Sequence, residues 1–179
     1  MSLLKVARMG HPVLRTRARE VERTELKQPS MQKLIDDMID TMHEYHGVGL
    51  AAPQVHEGLR IFVAAIAPLE EEPLSPDDRP MVFINPIITP LAPDVVEDWE
   101  GCLSIPDLRG RVPRAREIRV NALDREGGTI EITSRDFPAR VIQHETDHLD
   151  GVLFLDRMRG FGTLAFLDEY ARYWAKDRD

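Results

Sequence analysis

The chain has 179 residues, with 23 Lys+Arg against 31 Asp+Glu and a single cysteine. That length suits one domain spanning 1–179, and it buries roughly 70% of the unfolded surface, so no disulfide or metal is needed merely to fold. One cysteine excludes an internal disulfide framework and suits a reducing compartment, and a net charge of −8 argues against general affinity for nucleic acid or anionic membrane. No apolar run approaches the roughly 20 residues of a membrane span. Residues Met1 to Gly10 lack a signal peptide's apolar stretch, so the expected location is the cytosol.

The first element is a predicted helix from Ser30 to Gly47. Met31, Leu34, Ile35, Met38, Ile39 and Met42 fall on one face of a 3.6-residue period, with Ser30 as the expected N-cap and Gly47 as the stop. Arg60 to Ala67 and Met81 to Ile88 read as strands, being short and rich in β-branched and aromatic residues. Between them, residues 68–80 hold four prolines and five acids against one arginine, a composition expected to form a surface loop. Glu117 to Asp124 and Thr129 to Thr133 flank Arg125-Glu-Gly-Gly128, the signature of a hairpin. A second helix is expected from Phe137 to Asp150, ending at Gly151, and a third from Thr163 to Lys176. The order predicts an α+β fold: antiparallel strands packed around a central HExxH helix, with an N-terminal and a C-terminal helix.

That central helix carries His144-Glu145-Thr146-Asp147-His148. Residues i and i+4 of a helix lie one turn apart on the same side, so both imidazoles can reach one cation. Glu145 projects beside them, where it can take a proton from water on that cation without being a ligand. A third ligand is required, and three patterns were open. A metzincin spacing puts Phe154 where a histidine is needed. A thermolysin-like site would use Glu169, 21 residues after His148. The remaining candidate is Cys102, in Trp99-Glu-Gly-Cys-Leu-Ser-Ile-Pro106, which would complete a Cys-His-His set for Zn²⁺ or Fe²⁺. A further segment, Gly47-Val-Gly-Leu-Ala-Ala-Pro-Gln54, is rich in small residues that permit close backbone approach, and Gln54 can donate to a developing oxyanion.

Together GVGLAAPQ (47–54), EGCLS (100–104) and QHETDHLDG (143–151) resemble the three signature motifs of peptide deformylases, in order and at family-like separation. Residues 10–15 and 151–158 also resemble family segments. The resemblance implies a hydrolase of protein biosynthesis and N-terminal methionine processing, which releases formate from formyl-methionyl peptides. It implies Cys102, His144 and His148 as ligands of one divalent metal, Fe²⁺ in the cell, with Ni²⁺, Co²⁺ or Zn²⁺ in a purified sample. Glu145 would serve as general base and then acid in the attack of metal-bound water. Gln54 and the backbone N–H of Leu103 would hold the formyl oxygen. The substrate would add as a strand beside Gly49, its methionine entering a pocket of Val48, Gly49, Glu100, Phe137, Val141 and His144, with Arg109 as a further substrate contact. Asp147 and Arg114 are expected to brace the metal helix. The resemblance also implies transient ribosome association, although Arg157 to Asp179 holds five Lys/Arg and four Asp/Glu, too few net positive charges for that segment to dock on RNA. Neither a membrane nor a sequence-specific nucleic-acid partner is expected. Two rival readings are a thermolysin-like peptidase using Glu169 and a catalytically silent protein with a structural metal.

Overall fold

The computed structural model describes residues 2–66 and 80–175. The acidic loop expected at 68–80 therefore lies outside the described residues except for Pro80, as does Lys176 of the expected third helix. Along the chain run α1 (Arg23–Leu26), α2 (Pro29–Glu44), β1 (Gly49–Ala51), β2 (Ile61–Ala64), β3 (Met81–Pro90), β4 (Val95–Cys102) and β5 (Ile105–Ala115). They are followed by β6 (Glu117–Leu123), β7 (Thr129–Arg135), α3 (Asp136–Leu149), α4 (Phe154–Arg157), β8 (Ala165–Phe166) and α5 (Leu167–Tyr173). The strands form two sheets, one in the order β1-β2-β3-β6-β7 and one in the order β4-β5-β8, with antiparallel pairing throughout. This is the α+β arrangement expected, with α3 at the centre.

The larger sheet lies between α2 and α3, and β2 shows why. Successive side chains of a strand point to opposite faces. Ile61 and Val63 join Met31, Ile35, Met38 and Met42 of α2, whereas Phe62 and Ala64 join Ala139, Ile142 and Leu149 of α3. A strand covered on both faces must be apolar at every position, which is the pattern of residues 61–64. Phe62 stacks on Phe83 of β3, with ring centroids 4.6 Å apart.

Several boundaries differ from those expected. Helix α2 starts at Pro29, capped by Gln28, because a proline at the first position lacks only an N–H that would be orphaned anyway. It ends at Glu44, and His46 takes a left-handed φ of 53° before Gly47 is reached. Of the expected strand at 60–67, residues 61–64 form the strand and Ala67 lies outside the described residues, and the one at 81–88 extends to Pro90. The expected third helix starts at Leu167, since Ala165 and Phe166 pair with Arg109 and Leu108 of β5 and are extended.

The long hairpin of β4 and β5 has no counterpart in the expected elements. Its burial is mixed and its sequence is interrupted by Pro106, Gly110 and Pro113, so neither alternation nor a continuous apolar run marks it. What defines it is pairing from Val95↔Ala115 to Cys102↔Ile105. Leu103 and Ser104 make the turn, placing Cys102 at the hairpin's tip.

Candidate metal centre

Helix α3 carries the HExxH residues along its buried side. Its end is set by Gly151, whose φ of +73° is open to glycine at little strain. The Gly151 and Val152 amides donate to the carbonyls of His148 and Asp147, closing the last turn. A Cβ at 151 would lie 2.8 Å from the Arg15 carbonyl carbon, so the helix end sits directly on the N-terminal segment.

The hairpin tip meets this helix. Cys102 Sγ lies 3.3 Å from His148 Nε2, and one donor atom each from Cys102, His144 and His148 falls within 4.8 Å of the others. All three residues are buried. Burial pushes the Cys102 thiol up, but His148 and His144 beside it outweigh that and hold it well below its ordinary value, which favours the thiolate a metal requires. His144 shows the mirror image: burial lowers it, and Cys102 and Glu100 raise it further than burial lowers it. A soft thiolate, two imidazoles and a buried Glu145 Oε2 without a partner among the described residues fit a divalent transition metal.

Glu100 organises the surroundings. Its Oε2 lies 2.9 Å from His144 Nδ1, which leaves Nε2 facing the cluster. The same carboxylate accepts from Arg114 Nε and Nη2 at 2.9 and 3.0 Å and from Arg140 Nη1 at 2.8 Å. Burial works to raise Glu100, yet hydrogen bonds from His144 and Arg114 hold it well below the usual carboxylate range. Arg114 Nη1 continues to Asp147 Oδ2 at 2.5 Å, and Arg157 pairs with Asp147 at 2.7 Å. The expected Asp147–Arg114 contact is thus one link of a longer chain. Arg140 and Arg157 were missed in the sequence. Arg140 could have been found, because it stands one turn before His144 on the buried side of α3.

Two more residues converge on the cluster. Gln54 accepts from Ala51 N–H at 2.8 Å through Oε1, which turns its Nε2 towards Ser104 Oγ (3.2 Å) and Cys102 Sγ (3.5 Å). Glu145 packs against Gly49 so closely that a Cβ at 49 would lie 2.5 Å from Oε1, so a larger residue there would displace the Glu145 carboxylate. Burial raises Glu145 above its ordinary value, opposed by His144 and His148.

A cavity of about 870 Å³ opens onto these groups. It is lined by Val48, Gly49, Gln54, Glu100, Cys102, Leu103, Arg109, Phe137, Val141, His144 and Glu145, every expected site residue except His148, which is buried behind Cys102. Glu100 lines it while committing its carboxylate to His144 and the arginines. Phe137 and Val48 are exposed at its mouth, and Val141 is buried. Glu169 is exposed on α5, paired with Arg172, and is not a member of the cluster. Phe154 packs in the core with its ring 6.3 Å from that of His144.

The family model for polypeptide deformylase matches residues 3–163. The chain belongs to the peptide deformylase family. Peptide deformylases are metal-dependent hydrolases, so this chain is an enzyme of that class. Peptide deformylase 2 of Nostoc sp. is 42% identical over 175 residues, covering 98% of this chain and 97% of the relative. A class I type b peptide deformylase of Acinetobacter baumannii, solved with Met-Ala-Ser bound, matches with a TM-score of 0.79 and 39% identity over 88% of this chain and 99% of that one. The peptide deformylase of Thermotoga maritima matches with a TM-score of 0.79 and 36% identity, covering 89% of this chain and all of the other.

Proposed function

We propose that this chain is a single catalytic domain that removes the N-terminal formyl group from formyl-methionyl peptides and releases formate. The observation that carries the reading is the close approach of Cys102, His144 and His148 beside a cavity lined by Cys102, His144 and Glu145, whose Oε2 has no partner among the described residues. The three ligand residues would hold Fe²⁺ in the cell, or Ni²⁺, Co²⁺ or Zn²⁺ in a purified sample. When bound, the cation supplies Lewis acidity, polarising the formyl oxygen and making water more acidic.

The chain's own groups do the rest. Gln54 Nε2 and the Leu103 amide donate to the formyl oxygen as it gains charge. Glu145 takes the proton of the attacking water at Oε2 and passes it to the departing amine nitrogen, first base and then acid. Glu100, pinned by Arg114 and Arg140, keeps the His144 ring in one orientation. Strand β1 ends its sheet, so its second edge can pair with an extended peptide at Gly49. The methionine side chain enters beside Val48, Gly49, Glu100, Phe137, Val141 and His144, and Arg109 meets the peptide further out. The A. baumannii relative is solved with Met-Ala-Ser, a peptide that starts with methionine, which supports the same substrate class here.

Transient ribosome association in the cytosol belongs to this reading. Helix α5 carries Asp168 and Glu169 in its first turn, which disfavours it as an RNA contact. Among the described residues no helix is long and apolar enough to cross a membrane. The experiment is formate release from a formyl-Met peptide by protein loaded anaerobically with Fe²⁺ or Ni²⁺. Turnover is expected, and its absence in a fully loaded sample overturns the reading. Cys102→Ser separates it from a Glu169 peptidase, which would be insensitive to that change.

A further inference from the structure

The C-terminal arm forms part of the cavity wall, and no step of the proposed mechanism uses it. After β8 pairs with β5, helix α5 turns back so that Leu167 and Tyr170 line the cavity beside Trp99. Tyr170 tilts against the Trp99 ring with centroids 4.8 Å apart, and Trp174 packs on the same ring at 5.6 Å. Edge-tilted aromatic packing holds such rings in fixed orientations. The wall nevertheless remains open to the cleft, with Leu167 39% exposed.

Its position relative to the metal centre follows from the strand. Trp99 precedes Cys102 by three residues on β4, about 10 Å at the strand rise of about 3.3 Å per residue. An extended peptide advances about 3.3–3.6 Å per residue. With the formyl group at the cluster, the third residue of the peptide therefore reaches the distance of this wall, and the second side chain points to the opposite face.

We infer that Trp99, Leu167 and Tyr170 form a subsite that selects a large apolar or aromatic side chain at the third residue of the formyl peptide, an inference that rests on the deformylase reading above. Both tryptophans of the chain, Trp99 and Trp174, belong to this cluster, so intrinsic fluorescence reports on the wall independently of turnover. Titrating the metal-loaded enzyme with the product peptides Met-Ala-Phe and Met-Ala-Ala should show about tenfold tighter binding of the first, with a change in indole emission. Tyr170→Ala and Leu167→Ala should each reduce that ratio to below about threefold, and Tyr170→Phe should restore it. In turnover of the formyl forms, the change in the ratio between the two peptides should fall on KM and not on kcat. A ratio that is the same in the wild type and both alanine variants overturns the subsite. So does an equal rise in KM for both peptides, which marks the arm as structural. Discrimination by fluorescence without formate release from either formyl peptide would instead overturn the deformylase reading and leave an aromatic peptide-binding wall.

Discussion

Glu145 and His144 are neighbours on one helix, yet their surroundings give them opposite tasks. His144 is tied through Nδ1 to Glu100, whereas Glu145 keeps Oε2 unpaired and faces Gly49. On the proposed function Glu145 only moves a proton, so it should be separable from the residues that would hold the cation. Glu145→Ala is accordingly expected to lower kcat/KM by about 10²–10⁴-fold while metal content, measured by atomic absorption, stays at one ion per chain. Away from the site, Glu25 accepts from Arg19 through both oxygens, and that pairing, with the Glu22 amide, pulls its carboxyl down to about 2. A carboxyl lowered on folding contributes stability that is present above its ordinary value of 4.5 and is lost as pH falls towards 2. Carboxyl NMR titration should place the Glu25 midpoint near 2, and Arg19→Gln should return it towards 4.5.

At the scale of elements, the proposed metal centre is a meeting of a hairpin tip and a helix, each positioned by packing remote from Cys102, His144 and His148. Helix α3 is seated on one side by its Ala139, Ile142 and Leu149 against Phe62 and Ala64, and on the other by Arg140 reaching Glu100 and by Asp147 held by Arg114. Its C-terminal end depends on Gly151. Gly151→Ala would force an alanine to φ +73° with its Cβ against the Arg15 backbone, so urea unfolding should show a loss of at least about 1 kcal/mol. The same variant should weaken metal binding, since His148 lies three residues away in the last turn. Helices α2 and α3 and the β6–β7 hairpin were legible in the sequence because their signals, a 3.6-residue stripe and a Gly-Gly turn between alternating runs, are local. The β4–β5 hairpin was not, because its order comes from pairing between residues up to 20 apart, such as Val95 with Ala115, and from buried arginine contacts that resemble surface polarity when read one residue at a time.

For the whole molecule, the three proposed ligand residues lie on the β4–β5 hairpin and α3, so a cation bound there would crosslink the two sheets' supports. A ligand that binds only the folded state adds RT ln(1 + [L]/Kd), about 2.7 kcal/mol at 100-fold saturation. Stripping the metal with a chelator should thus lower Tm by roughly 5–10 °C in a chain of this size, and re-addition of Ni²⁺ should restore it. The sequence by itself determined that two histidines and a glutamate share one helix turn, that a methionine-rich stripe buries α2, and that the motifs resemble those of peptide deformylases. From the residues alone, Cys102 and Glu169 stood open for a third ligand position, the metzincin position being taken by Phe154, which cannot bind a metal, and the resemblance pointed to Cys102. The tertiary structure decided which of them lies beside the histidines: Cys102, 46 residues before His148, is brought to 3.3 Å by the hairpin, while Glu169 faces solvent and Phe154 fills the core. It also decided that Glu100 serves His144, and that an arm beyond the motifs walls the cleft. The physical reason is common to all three. Periodicity along a chain encodes which face of an element is buried, but which distant element lies against that face depends on pairing and packing that no single segment contains.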